Sequence, residues 1–226
     1  MTDSSTAELA GVPNVAARPA GGTLRGARVL GVGQLVFAAW CLVLLVAVGS
    51  LMAGHWYTLP RPEPGDPRLA RGLNALRGPT EGDHWLAAHV LYAECRCSRR
   101  ILDHLLQSRR PEWVVEKIVL VGPHPEYERR ARAAGFVVEI VGKAELAERF
   151  GLVAAPLLAI VNPTGSVVYS GGYTDRKQGP NIRDIELIEQ ARRTGAASEL
   201  PLFGCAVSAR LQELLDPLRL KYARGE

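Results

Sequence analysis

Apolar and polar positions fall into blocks of different period along this chain. From Val29 to Gly54 there is no charged residue, and only Gln34 and Ser50 interrupt the run as polar side chains. That is long enough for a membrane-spanning helix. From Trp85 onward the blocks are shorter and alternate in kind. Trp85 to Tyr92 is apolar except for His89 and reads as a buried strand. Ile101, Leu102, Leu105 and Leu106 then recur at i, i+1, i+4 and i+5 among Arg99, Arg100, Asp103 and Gln107, which is one apolar stripe on a polar helix. Glu116 to Val121 reads as a buried strand, and a polar helix around Glu126 to Ala134 ends at Gly135. Phe136 to Val141 is the next strand, and a short helix from Lys143 to Phe150 closes at Gly151.

Leu157 to Val161 and Ser166 to Ser170 flank Asn162-Pro163-Thr164-Gly165, with Pro second and Gly fourth, as a hairpin turn prefers. A helix is expected over Ile182 to Arg193. A last one is expected from Ala206 to Leu220, with Val207, Leu211, Leu214, Leu215 and Leu218 on one face and Pro217 kinking or ending it. The order is βαβα, then a hairpin, then helices. It predicts an α/β sandwich with a mixed sheet.

Outside that region the pattern changes. Residues 1–28 are rich in Ala, Gly, Thr, Ser and Pro without periodicity and read as a disordered tail. Residues 55–82 carry Pro60, Pro62, Pro64, Pro67 and Pro79 among Gly and Arg, and read as a semi-rigid spacer. The expected organisation is a tail (1–28), a transmembrane helix (29–54), a linker (55–82) and one domain (83–226). A cleaved signal peptide is the rival for the apolar run, but the run and the tail before it are longer than such a signal has. Trp40 before Cys41 argues against a lipoprotein signal, leaving Cys41 as a small hydrophobe. Arg18, Arg25 and Arg28 precede the run and Arg61 and Arg68 follow it, which favours the N-terminus inside. His55-Trp56-Tyr57 supplies an interfacial anchor. A single-pass protein with its C-terminal domain outside the cytoplasm follows.

Composition adds mainly exclusions. The 226 residues are 47% hydrophobic and 22% charged, with a formal charge of +4, enough for one ordinary domain and something more. The arginines are spread, and clustered lysine with interleaved aromatics is missing, so no nucleic-acid footprint is present. Cys41, Cys95, Cys97 and Cys205 are too few for a disulfide scaffold and match no zinc-ribbon spacing.

The chemistry concentrates at Glu94-Cys95-Arg96-Cys97-Ser98, where the first strand gives way to the amphipathic helix. Unpaired N–H groups at a helix N-terminus favour negative charge, so a thiolate is stabilised there. Arg96, Arg99 and Arg100 act in the same direction and Glu94 against it. Thiolate is the reactive form both in disulfide exchange and in metal binding; the bland alternative is a pair of buried small residues. Cys205 follows Phe203-Gly204 and opens the last expected helix. It is a resolving thiol, a third metal ligand or a structural cysteine. Arg99, Arg100, Arg109 and Arg110 suit a solvated face, and Gly171-Gly172-Tyr173 a bulge and turn.

Between Trp85 and Arg193 the chain resembles the thioredoxin-fold family. Two motifs carry the resemblance. One is the strand running through Tyr92-Ala93-Glu94 into cysteines at a helix start. The other is Phe150-Gly151-Leu152-Val153-Ala154-Ala155-Pro156, followed by an apolar strand and a hairpin. The resemblance implies a thioredoxin-like mixed sheet sandwiched by helices, here with an N-terminal transmembrane helix before it and an extra C-terminal helix. It implies a cis Pro156 packed against the active-site cysteines and an Ala155 that offers backbone to a substrate chain. The anchor and spacer further resemble membrane-tethered, extracytoplasmic thioredoxin-like proteins of bacteria, acting in the periplasm.

Two departures stand out. The family's usual spacing is Cys-x-x-Cys and here it is Cys-x-Cys, whose disulfide would close a small ring and be more oxidising. The family often carries a buried acid on the strand before the cysteines, and by register that place falls on His89 or Val90. His89 is then a proton acceptor near neutral pH or a core histidine without chemistry.

The leading expectation is a membrane-anchored thiol–disulfide oxidoreductase without a cofactor. Cys95 attacks a partner protein's disulfide, Cys97 or Cys205 resolves it, Arg96 helps hold the thiolate and Pro156 shapes the groove. A membrane electron donor or acceptor is implied. The alternative is a Cu(I) handler using Cys95 and Cys97 with Cys205 or His89, since soft ligands suit that ion, although Met1 and Met52 are the only methionines. A third reading is a thioredoxin-like partner-binding module without redox chemistry.

Overall fold

The computed structural model describes residues 31–63, 65–216 and Tyr222. The expected tail over residues 1–28 lies outside them, as do Pro217 and Leu218 of the last expected helix. The chain divides into two units, residues 1–48 and 49–226.

Helix α1 (Val32–Trp56) covers the first apolar block. Its stretch Val32–Gly49 is apolar enough and long enough to cross a membrane, by composition and length. At 1.5 Å per residue, 25 residues span about 38 Å, against a hydrocarbon core of about 30 Å. Leu35, Phe37, Trp40 and Leu42 all point away from any protein interior.

The second unit runs α2 (Pro67–Asn74), β1 (Trp85–Tyr92), α3 (Arg96–Gln107), β2 (Val114–Val121), α4 (Pro125–Ala133), β3 (Val137–Val141) and α5 (Lys143–Phe150). It continues with β4 (Ala154–Ala155), β5 (Leu157–Val161), β6 (Val167–Gly171), α6 (Asp184–Thr194), β7 (Cys205–Ala206) and α7 (Ala209–Leu215). The main sheet has the order β3-β2-β1-β5-β6. β1, β2 and β3 are parallel, and β5 and β6 run antiparallel to their neighbours. β1 lies at the centre and is buried from Leu86 to Tyr92. Both of its faces are covered, which is why it reads as a continuous apolar run.

Side chains alternate across a strand, and β1 therefore feeds two cores. Leu86, Ala88, Val90 and Tyr92 pack with Leu69 and Leu73 of α2 and Leu146 and Phe150 of α5. Ala87 and Leu91 pack with Ile101 and Leu105 of α3, Tyr127 of α4, and Leu187 and Ala191 of α6. This is the expected mixed sheet between helices, and the fold is thioredoxin-like. The expected helix at Lys143–Phe150 and strand at Leu157–Val161 match residue for residue. Gly151 takes the left-handed conformation (φ 70°) that ends α5.

Two stretches fold differently from the sequence reading, and Arg110, expected on a solvated face, is held between two buried carboxylates. The stretch 55–82 is not spacer throughout. Asp66 caps α2, its carboxylate accepting from the Arg68 N–H at 2.8 Å, and Pro67 sits at the first helical turn, where a missing N–H costs nothing. Leu69 and Leu73 are fully buried. Arg77 donates to the carbonyls of Glu81 (2.8 Å), His84 (2.6 Å) and Asn162 (2.8 Å). Lys117 binds the Glu81 carboxylate and the Leu76 carbonyl, each at 2.6 Å. Prolines that suggest a spacer here begin a helix and shape turns.

The second difference is at the C-terminal end. Cys205 does not open a helix. It lies in β7, and α7 starts only at Ala209, with the Ser208 hydroxyl accepting from the Leu211 N–H at 3.3 Å. A strand pairing with a distant segment overrides the local helical pattern.

On the α3/α6 side of the sheet lies a buried chain of polar groups. His89 is fully buried, with Nδ1 3.0 Å from the Tyr173 hydroxyl and Nε2 2.9 Å from Glu116. Arg110 grips Glu116 (Nε to Oε1 3.0 Å, Nη2 to Oε2 2.6 Å) and Asp184 (Nη1 to Oδ2 2.6 Å). Asp184 is also bound by His104 at 2.8 Å. Burial pushes the Asp184 carboxyl up, but the His104 hydrogen bond and the Arg110 charge outweigh it and hold the group at about 2. Glu116 is likewise lowered, burial being overcome by His89 and Arg110.

Arg110→Leu leaves two buried carboxylates without their shared cation, and is expected to lower stability by roughly 3–5 kcal/mol at neutral pH. Both carboxyls are depressed in the folded state, so their contribution is complete above the unfolded value of about 4 and is lost as pH falls toward 2. Thermal unfolding of the full chain in detergent should show a large gap between wild type and variant near neutral pH that narrows in acid.

Candidate active site

β1 hands its chain directly to α3. The Ala93 N–H donates to the Val121 carbonyl at 3.0 Å, and the Cys95 N–H closes a turn onto the Tyr92 carbonyl at 3.0 Å. Cys95 is the N-cap of α3, extended at φ −98° and ψ 120°, and its carbonyl accepts from the Arg99 N–H at 3.1 Å. Ser98, fully buried, accepts from the Tyr92 N–H at 2.9 Å through its hydroxyl. That bond fixes the first turn of the helix to the last residue of the strand. The Cys95 side chain is consequently placed at the helix N-terminus and is only 1% exposed.

Its sulfur is surrounded by donors. The Cys205 thiol donates to it most strongly, then the Cys97 thiol. Burial opposes ionisation, and the backbone N–H groups of Ser98 and Cys97 favour it. The donors win, and the Cys95 thiol is held well below the ordinary range of a cysteine. Cys97 and Cys205 are half-buried, and among the described residues no cysteine forms a disulfide.

Cys205 arrives from the far end of the chain. β7 pairs antiparallel with β4, setting Ala206 opposite Ala154 and Cys205 opposite Ala155. The Ala155–Pro156 peptide bond is cis, as the resemblance implies. The Val207 N–H donates to the Val153 carbonyl at 2.8 Å and the Ser208 N–H to the same oxygen at 3.2 Å. Gly204 lies so close that an added Cβ would stand 2.1 Å from the Ala155 oxygen and 2.7 Å from Pro156 Cδ. Only glycine fits there. Ala155, expected to offer its backbone to a substrate chain, has Cys205 of its own chain as its ladder partner.

Tyr92 and Lys143 form a further wall. The Tyr92 hydroxyl donates to the Glu94 carboxylate, and Lys143 Nζ lies 3.8 Å from Glu94 and 5.3 Å from the Tyr92 ring centre. Burial raises the Tyr92 phenol, and its hydrogen bond to the Glu94 carboxylate raises it further. Arg96 opens α3 on the exposed side. His89 lies apart, in the core opposite the one that holds Cys95, whereas Val90 shares the Cys95 core. The buried acids on the His89 side come from β2 and α6 as Glu116 and Asp184.

Among the described residues no group of three or more His, Cys, Asp and Glu side chains is arranged to hold a metal ion. Tyr92 and Ser98 were not singled out from the sequence. A serine at the third helical position, able to bond back into the preceding strand, was the one available signal for Ser98.

No protein-family model and no curated protein matches the sequence. Similar solved structures include an uncharacterized conserved protein from Geobacillus kaustophilus, 18% identical with a TM-score of 0.44 over 56% of this chain and 77% of that one. A hypothetical protein from Sinorhizobium meliloti is 16% identical with a TM-score of 0.41, over 69% and 93%. The thioredoxin domain of a thiol-disulfide oxidoreductase from Bacteroides vulgatus is 14% identical with a TM-score of 0.36, over 50% and 79%. The thioredoxin-like fold of this chain rests on its own strand order, β3-β2-β1-β5-β6, with two cysteines where β1 enters α3 and Pro156 where β4 enters β5.

Proposed function

We propose that this chain is a membrane-anchored thiol–disulfide oxidoreductase that exchanges disulfides with partner proteins on the outer side of the membrane. One observation carries the reading. Cys95 caps the helix at the strand-to-helix junction with Cys97 and Cys205 packed on the same core, and these two thiols hold its own well below the ordinary range. Thiolate is the form that attacks a disulfide. The attack forms a bond between Cys95 and one partner sulfur and releases the other as a thiol. A second cysteine then attacks the Cys95 sulfur, releases the partner in its reduced form, and leaves the domain as a disulfide.

The apolar α1 supports a single-pass anchor, and the arginines before the apolar run support the N-terminus inside. A domain placed outside the cytoplasm needs a thiol or disulfide partner at the membrane to restore its starting state.

Full-length protein in detergent, equilibrated in glutathione buffers of graded potential and trapped by alkylation, should show a reversible two-electron couple that includes Cys95. Cys95→Ser should abolish that couple and reduce exchange with a protein disulfide to background. Retained exchange in the variant, or no disulfide in the wild type at any potential, would overturn the assignment.

A depressed Cys95 pKa also sets the pH dependence. An ordinary thiol with pKa about 8.5 gains thiolate roughly tenfold per unit below that value. Cys95 is already ionised there, so its reaction rate with a small disulfide should change little between about pH 6 and about pH 8. Stopped-flow measurement of that rate checks it; a tenfold rise per unit would place Cys95 among ordinary thiols.

A further inference from the structure

Resting on the oxidoreductase reading, we infer that the redox couple of the domain joins Cys95 to Cys205, across α3 and β7, and that Cys205 is the thiol that resolves the mixed disulfide. Cys97 is the nearer residue in sequence, but its position works against a bond to Cys95. A Cys95–Cys97 bond would close a ring across one intervening residue, which leaves little room for ordinary disulfide geometry. Such a bond would also have to reshape the junction between the extended Cys95 and the first turn of α3.

Cys205 carries no such constraint, because it belongs to a separate element. The ladder register fixes it opposite Ala155, beside Pro156. It packs on the same core cluster that holds Cys95, and it is the foremost of the groups that hold the Cys95 thiol low.

The segment bearing Cys205 is held along its length. A Cβ at Gly204 would collide with Ala155 and Pro156, and one at Gly172 would lie 2.0 Å from the Pro201 oxygen. Leu202 forms a backbone bridge with Leu59, whose N–H donates to the Leu202 carbonyl at 2.9 Å. The remaining edge of β7 is closed by side chains. The Ala206 N–H donates to the Tyr222 hydroxyl at 2.9 Å, and Gln212 Nε2 donates to the Ala206 carbonyl at 2.9 Å. A two-residue strand packed this closely has one product, which is a thiol delivered to a fixed point.

The chemistry balances with the groups at hand. The Cys95 thiolate attacks a partner disulfide, one partner sulfur leaves as thiolate and takes up a proton, and a Cys95–partner bond remains. Cys205 gives its proton to the second partner sulfur as it attacks Cys95, so the Cys95–partner bond breaks and the Cys95–Cys205 bond forms. The partner has gained two electrons and two protons; the cysteine pair has lost two electrons and the Cys205 proton, and the other proton comes from solvent. A thiol reductant returns the pair to its starting state.

The test uses full-length wild type, Cys97→Ser and Cys205→Ser in detergent, equilibrated with reduced and oxidised glutathione, alkylated and mapped by mass spectrometry. Wild type should yield a Cys95–Cys205 crosslink, and Cys97→Ser should still titrate as a two-electron couple through the same bond. Cys205→Ser should lose that couple and accumulate Cys95 carrying one glutathione. The wild-type map needs no variant to fold, so it decides the pairing even if a substitution disturbs the structure. A Cys95–Cys97 bond in the wild type overturns this pairing and leaves the oxidoreductase reading standing. A wild type that forms no disulfide at any potential overturns both.

Discussion

An ionised sulfur can persist in a protein interior only if enough donors replace the water it has lost. At Cys95 that condition organises the surroundings. The end of β1 and the start of α3 have to meet at one point, so that Cys95 takes the N-cap position of the helix. The Tyr92–Ser98 hydrogen bond enforces that meeting. A thiol must also come from a distant part of the chain, and β7 exists to bring it. Burial alone would push the group toward the neutral thiol, so the sign of the shift depends on these contacts and not on the helix terminus by itself.

The two faces of the sheet divide the ionisable groups between them. Cys95 and its donors belong to the core with α2 and α5, while His89, Glu116, Arg110, Asp184 and His104 form a chain of ion pairs on the other side. His89 sits at an even offset from Cys95 in sequence, yet the turn after Tyr92 breaks the strand's alternation, and strand parity no longer predicts the face. The polar chain links β1, β2, α3 and α6, and its arginine is held by two carboxylates that have no other cation of that strength. Its chemistry is that of a structural tie. Nothing in it requires the thiol site.

Much of this was legible in the sequence because it is local. The apolar run of β1, the stripe on α3, Gly151 ending α5 and the turn at Asn162–Gly165 all encode their elements within a few residues. The cysteines at a strand-to-helix junction were legible for the same reason, and Pro156 through a motif. What escaped depends on contacts across long stretches of chain. The segment 205–208 has a helical pattern from Val207 onward, but Cys205 pairs with Ala155, fifty positions away, and no periodicity records that. The prolines near α2 read as spacer because the partners of Leu69 and Leu73 lie in other elements, β1 and α5. Glu116 could be read as the start of a buried strand, but its pairing with His89 and Arg110 is not written in the local pattern.

The pairing of β7 with β4 also bears on how a partner can approach. An open strand edge beside the cysteines would be a template on which any extended chain could pair. Here Ala154 and Ala155 are already paired, and the outer edge of β7 is satisfied by Tyr222 and Gln212. Main-chain pairing at this edge is therefore closed to a partner while β7 is in place. Selection then falls to whatever reaches the sulfurs themselves. Of the three, Cys97 and Cys205 are the half-buried ones, and Cys95 lies beneath them. On the oxidoreductase reading, such an edge would favour a disulfide or thiol that reaches the sulfurs directly over a chain that adds a strand beside them.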